Sequence, residues 1–214
     1  MKPLEGITIL EFSTMITAAL ASMMLAEQGA RVIKVEPTDA GIPCAISAPA
    51  RGYFVIVRWL QPGQGIDQSR PQKRGRASRH PEMIPHVDVV IHNFRPGTME
   101  TLNLDFKTLQ RLNSRLIYMA ISGFGTEGPL RRAPAYDPII QAQCGMAATQ
   151  GSDESPTFIR SLLCDKITGY TACQAVTSAL FARERTGNGQ IIDLSMLDSG
   201  CFYVPRRLSE PCAA

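Results

Sequence analysis

Four places in the 214-residue chain carry side chains whose type and spacing suit chemistry. The first is Asp165, at the start of the longest helical pattern. Asp is a preferred helix N-cap, and on chemistry alone that structural role is favoured. The same N–H donors and helix dipole would hold a partly buried carboxylate ionised, and an ionised carboxylate shielded from bulk water can attack an activated acyl group. The second is Asn93-Phe94-Arg95-Pro96-Gly97, directly after an apolar run. Its amide can bond a ligand's amide or base edge and its ring can stack. The structural alternative is a helix-initiating turn with Asn as cap and Pro early in the helix. The third is the turn Ser13 to Ala19. A helix start attracts anions, but spacing alone favours a plain connection. The fourth is the pair His86 and His92. With no carboxylate or cysteine at suitable spacing, they read as surface or satisfied-core histidines, not as a dyad or metal pair.

Missing motifs narrow the classes further. The 13–19 turn has no glycine, so it is neither a dinucleotide GxGxxG turn nor a phosphate loop, both of which need close backbone approach. No GxSxG elbow occurs, which excludes an ordinary α/β-hydrolase. The six cysteines (44, 144, 164, 173, 201 and 212) form no CxxC pair and lie far from His80, His86 and His92. They read as reduced, mostly buried, intracellular thiols, and no metal is expected. The net charge of +3 comes from residues 58–81, where Arg58, Arg70, Lys73, Arg74, Arg76 and Arg79 face only Asp67. A nucleic-acid binder spreads its basic stripe over a folded face with aromatics interleaved, so no nucleic-acid partner is expected. No run approaches the ~20 apolar residues of a membrane span, and MKPLEGITIL lacks the parts of a secretory signal. A cytoplasmic protein without membrane contact is the expectation.

These candidates need elements to position them. ITILEF (7–12) reads as a strand, and residues 15–28 show helical spacing at Met15, Ala18, Ala19, Ser22, Met23, Leu25 and Ala26 before Gly29 stops the helix. RVIKVE (31–36) completes a βαβ unit, which implies a parallel sheet. VDVVIHNF (87–94) reads as a strand buried on both faces, and 96–113 as two short helical turns around Asn103-Leu104-Asp105. LIYMAISGF (116–124) is a strand and 137–149 a helix. Residues 165–184 form a stronger helix, with Ile167, Tyr170, Ala175, Ala179 and Phe181 available for its buried face, and QIIDLSML is the fifth strand. The class is α/β, a doubly wound, Rossmann-like parallel sheet with flanking helices. In such sheets ligands sit at the carboxyl ends of strands, where the 13–19 and 93–97 turns fall. Residues 58–82 show neither a period of 2 nor one of 3.6 and cannot bury enough surface to offset their ordering entropy. The tail at 200–214 has the same character.

Three blocks together carry a resemblance. LEGITILEFSTMITAALASMMLAEQGARVIKVEP, then DVVIHNFRPGTMETLNLDFKTLQRLNSRLIYMAISGFGTEGPLRRAPAYDPIIQAQCGMAATQG, then DKITGYTACQAVTSALFARERTGNGQIIDLSMLDS resemble the class III coenzyme A transferases, the formyl-CoA and carnitine CoA-transferase (CaiB/BaiF) type. The likeness covers residues 3–57 and 83–199. It implies the N-terminal half of that family's large, Rossmann-like domain at 1–199. It also implies transfer of coenzyme A between an acyl-CoA and a carboxylic acid, with no metal. The family's nucleophilic aspartate falls on Asp165, which reverses the cap reading. The coenzyme-contacting turn falls on Met15, Ile16 and Thr17, the strand-end coenzyme site on Asn93, Phe94 and Arg95, and a pocket tyrosine on Tyr136. Related α-methylacyl-CoA racemases carry a His-Asp pair where this chain has Tyr136-Asp137, and no histidine follows His92. Transferase is therefore preferred, because racemisation needs a second acid/base.

The departures set further expectations. Where the family has a strand rich in Asn, Lys and Arg and then a helix, residues 58–82 show a break of the kind that two compensating frameshifts produce. The family's chain continues into a small second domain, and its homodimers interlock. Here that domain is expected to be absent, leaving the acyl pocket open to water and an apolar face exposed. The competing class is a non-catalytic remnant that binds coenzyme A without exchange.

Overall fold

The structure, a computed structural model, describes residues 1–37, 54–59, 83–152 and 154–204. The expected parallel sheet is present with six strands: β1 (Thr8–Phe12), β2 (Arg31–Pro37), β3 (Phe54–Trp59), β4 (Val89–His92), β5 (Ile117–Ser122) and β6 (Gln190–Ser195). Their order is β3-β2-β1-β4-β5-β6, all neighbours parallel. Sequence reading found five. FVIV (54–57), just before the irregular segment, was left unassigned, yet Val32 to Pro37 pair in register with Phe54 to Trp59. The rest of 58–82 lies outside the described residues.

Helices cover both faces. On one side α1 (Thr17–Glu27) packs against the long α6 (Leu163–Thr186), together with Ile9, Val32, Val89, Ile91, Ile117 and Met119 from the strands. Gly169 allows this approach, since a Cβ there would lie 2.9 Å from Leu20 Cδ2. On the other side α2 (Thr98–Thr101) and α3 (Phe106–Gln110) cover Leu10, Phe12, Ile33, Val90 and Tyr118. Alternate strand residues thus face different layers, as a period of 2 demands, and β4 is buried throughout.

Several boundaries differ from the sequence reading. The helix expected over 137–149 is two, α4 (Asp137–Gln143) and α5 (Met146–Gln150). Gly145, at φ +81°, separates them in a left-handed conformation that side chains with a Cβ resist. The strand at QIIDLSML ends at Ser195, whose side chain accepts from the Asp198 N–H and starts α7 (Met196–Tyr203). Residues 200–203, expected to belong to an irregular tail, are therefore helical, and residues 205–214 lie outside the described residues. On α6 the buried stripe runs through Cys164, Thr168, Ala172, Val176 and Arg183. This leaves Tyr170 and Phe181 exposed on the outer face, contrary to expectation, and Met15 is exposed too.

Two ion pairs join elements inside this frame. Lys34 Nζ lies 2.9 Å from Glu11 Oε1, cross-strand neighbours on β2 and β1, both buried. Ser13 Oγ joins them. At the other end of the sheet, buried Arg183 meets Asp88 at 2.9 Å, and Asp88 also accepts the Thr8 N–H. Cys144, Cys164 and Cys173 are buried free thiols and Cys201 is an exposed one. Among the described residues, no helix is long and apolar enough to cross a membrane.

Candidate functional site

The order of strands places the switch point between β1 and β4, whose following connections leave in opposite directions. In open α/β sheets this crevice binds ligands. A cavity of about 340 Å³ opens there, lined by the turn after β1 (Thr14, Met15, Thr17), the turn after β4 (Asn93 to Pro96), the loop after β5, and Asp165 of α6. Sequence-predicted Met15, Thr17, Asn93, Phe94, Arg95, Tyr136 and Asp165 thus share one space. Ile16 is not among its lining residues; it stands at the N-cap of α1. Ser122, Gly123, Arg131 and Met196 also line the cavity, and no sequence signal had singled them out.

The two turns hold each other. Asn93 Oδ1 accepts the Thr14 N–H at 2.9 Å, while its Nδ2 donates to the Thr14 carbonyl and to Thr17 Oγ1. The Asn93 amide, expected to bond a ligand, is thereby committed to the first turn, and it holds Met15 at a φ of +64°. Asn93→Ala is expected to destabilise the fold by about 1–3 kcal/mol, because it leaves polar backbone groups without their partner. Faster hydrogen exchange at the Thr14 amide, read by NMR, would check this; unchanged exchange would refute it.

Beside it, Phe94 is half-buried and donates its N–H to His92 Nδ1 at 3.3 Å. His92 is a satisfied core histidine, as expected: it packs edge-on to Tyr118, and burial lowers its pKa to about 4, so it is neutral. Tyr136, largely exposed, caps α4 and reaches the cavity. Gly123 sits where a Cβ would lie 2.1 Å from Ala135 Cβ. A side chain there would displace the wall that carries Tyr136.

Asp165 differs from its expected setting in three ways. It lies three residues past the N-cap Leu162, so it does not cap α6. Its N–H is taken at 2.9 Å by Oδ2 of Asp137, buried at the start of α4. That amide is therefore not free to stabilise an oxyanion. Its carboxyl is pushed up from 3.8 to about 6, first by burial and then by the Asp137 charge. These outweigh the helix-start dipole that was expected to keep it strongly ionised. No side chain or backbone group among the described residues donates to it. Asp137, which sequence reading overlooked as a site residue, is in turn fixed by Gln141, whose amide also bonds Ile159 and Ser161. This network ties the segment leading into α6 onto α4 and sets where Asp165 enters the cavity. Neighbouring Cys164 is pushed up to about 12, chiefly by burial and then by Asp137, so it stays a neutral thiol and does not compete as a nucleophile.

The site therefore offers one half-buried carboxylate, two arginines and an aromatic platform. Among the described residues no group of His, Cys, Asp and Glu side chains is placed to hold a metal ion.

Comparison with known proteins agrees with this architecture. The sequence pattern of CoA-transferase family III matches residues 4–212, a wider span than the three blocks and one that includes 58–82. Acetyl-CoA:oxalate CoA-transferase of Acetobacter aceti is 35% identical over 96% of this chain and 54% of its own length. Human α-methylacyl-CoA racemase is 35% identical over 93% of this chain and 49% of its own. The crystal structure of a CAIB/BAIF family protein from Brucella suis superposes with a TM-score of 0.77 at 28% identity, covering 94% of this chain and 55% of that one. The chain spans about half the length of these relatives. With the pattern running almost from end to end and the sheet and helices superposing, the chain belongs to CoA-transferase family III.

Proposed function

We propose that Asp165 is the nucleophile of a coenzyme A transfer between an acyl-CoA and a carboxylic acid. The observation that carries the reading is the carboxylate itself: half-buried, without a hydrogen-bond donor among the described residues, its pKa pushed up to about 6 by burial, and opening into a cavity at the switch point. Such a group is ionised at neutral pH yet poorly solvated, the state in which a carboxylate attacks an acyl carbon.

The reaction then runs in four exchanges. Asp165 attacks the thioester carbonyl, giving a mixed anhydride and releasing the coenzyme A thiolate. The thiolate attacks the aspartyl carbonyl, giving an aspartyl-CoA thioester and freeing the first acid. The acceptor's carboxylate attacks that thioester, giving a second anhydride and the thiolate again. The thiolate attacks the acceptor's acyl carbon, so the new acyl-CoA leaves and Asp165 is restored. Phe94, Arg95 and Tyr136 border the path of the coenzyme. A homodimer in the cytoplasm belongs to the same reading.

Racemisation is the second reading, favoured by the likeness to the human racemase. It requires an acid/base on each side of the α-carbon. Among the described residues no histidine lines this cavity; Tyr136 occupies the expected place. Transfer is the better fit.

The test is intact-mass and peptide mass spectrometry after incubation with succinyl-CoA and a panel of other acyl-CoAs. An adduct at Asp165 is expected, forming at half its maximal rate near pH 6 and falling away at lower pH as the carboxyl takes up its proton. Folded protein that forms no adduct with any donor would sink the transferase, and coenzyme A affinity without an adduct would mark a binding protein instead. Exchange of the α-hydrogen of a 2-methylacyl-CoA in deuterated water would favour the racemase.

A further inference from the structure

Two of the buried thiols meet beside the site. Cys144 is the C-cap of α4, and Cys164 is the second residue of α6, immediately before Asp165. Both belong to one buried cluster with Ile140 and Met146. The two side chains hydrogen-bond to each other, while the Cys144 Sγ also donates to the Gln141 carbonyl at 3.6 Å. A thiol carries one proton, so Cys164 is the donor and the Cys144 sulfur the acceptor within the pair. The other described thiols are placed differently. Cys173 takes a bond from Gln28 Nε2 at 3.4 Å. Cys201 is exposed and follows Gly200, whose backbone passes so close to Cys144 that a Cβ there would lie 3.2 Å from its sulfur.

We propose that Cys144 and Cys164 form a redox modification site, closed to a disulfide by hydrogen peroxide, and that closure loosens the hold of Asp137 on the Asp165 N–H. Cys144 is 9% exposed and Cys164 0%, so the oxidant meets Cys144 first. Its sulfur attacks one peroxide oxygen: an S–O bond forms, the O–O bond breaks, and the departing hydroxide takes the thiol proton as water. The Cys164 sulfur then attacks the Cys144 sulfur, forming S–S, breaking S–O and releasing a second water that carries its proton. Burial keeps the Cys164 thiol neutral and slow toward an outside reagent, but here its target is held in contact. The new bond draws the two sulfurs to about 2.05 Å, which pulls the end of α4 toward the first turn of α6. Asp137 grips the Asp165 N–H at 2.9 Å from the other end of the same short helix. A close-packed interior passes such a shift along, so drawing in one end of α4 stretches the contact at the other. This coupling holds whether or not Asp165 is acylated.

The experiment treats the whole chain with hydrogen peroxide, caps the free thiols with iodoacetamide, maps the linkages by peptide mass spectrometry and follows amide exchange by NMR. A Cys144–Cys164 linkage is expected, reversed by dithiothreitol, with the Asp165 amide exchanging about 10-fold faster in the oxidised protein. Cys164→Ala should abolish both the linkage and the change in exchange, whereas Cys201→Ser should keep both. Linkage of Cys144 to Cys201 instead, or two thiols at 144 and 164 still capped by iodoacetamide once Cys201 is oxidised, would overturn the pair. A Cys144–Cys164 disulfide with unchanged exchange at Asp165 would overturn the coupling. With Asp165 as nucleophile, oxidation also suppresses its coenzyme A adduct. An adduct missing already from the reduced protein removes that reading and leaves the disulfide and exchange results standing.

Discussion

Asp165→Asn is expected to remove the covalent adduct completely, a loss of more than about a thousandfold in any coenzyme A exchange, and at the same time to make the protein more stable. The two effects have one cause. The folded carboxyl is raised from 3.8 to about 6, by burial and by Asp137, so the native state binds its proton more tightly than the unfolded chain does. By linkage, native stability is lowered as pH rises from about 4 to about 6 and stays lowered above that. Asparagine keeps the shape and discards the charge. The gain should be roughly 1 kcal/mol at pH 8, after allowing for the group's partial exposure to water, and should vanish near pH 4. Urea unfolding at the two pH values checks it. A variant equally stable at both would show that the carboxylate is not held against its preference. Active sites commonly retain this kind of local cost.

Lys34→Met is expected to have the largest effect on stability, a loss of about 3–5 kcal/mol. Glu11 is fully buried, and its Oε2 already lacks a hydrogen-bond partner. Its Oε1 depends on Lys34 and Ser13. Removing the ammonium leaves an uncompensated charge between β1, β2 and α1, two residues before the turn that Asn93 secures. Glu11→Leu combined with Lys34→Met should recover most of the loss, because burying both ions costs more than it returns when apolar groups of similar size can replace them. Denaturant midpoints of the single and double variants decide this. A single variant within 1 kcal/mol of the parent would contradict it.

How far the chemistry was legible depended on sequence distance. The strands at 31–37 and 117–122 and the paired short helices around Asn103-Leu104-Asp105 follow from local periodicity; the strands formed within two residues of their expected bounds and the helices within three. The residue types at the site were also legible: Asp165, Asn93-Phe94 and Tyr136 all reach one cavity. Their partners were not. Asn93 bonds a turn 79 residues away, and Asp165 is anchored by a carboxylate 28 residues earlier. Asp137 looked only like half of a racemase pair, and Arg131 like one more basic residue in a loop. Likewise Tyr170 and Phe181 fit a helical face on paper, yet the stripe that meets α1 is the one built from small residues such as Gly169 and Ala172.

What the sequence by itself determined is therefore the class of fold, the family and a candidate carboxylate, because hydrophobic period, turn chemistry and ordered motifs are all local in the chain. The assembled tertiary structure decided the rest. Only when β4 lies beside β1 does Asn93 meet Thr14, and only when α4 docks on α6 does Asp137 take the Asp165 amide. The charge and solvation of Asp165 follow from that packing, since a pKa is set by burial and by charges in space, and neither quantity exists before the chain has folded.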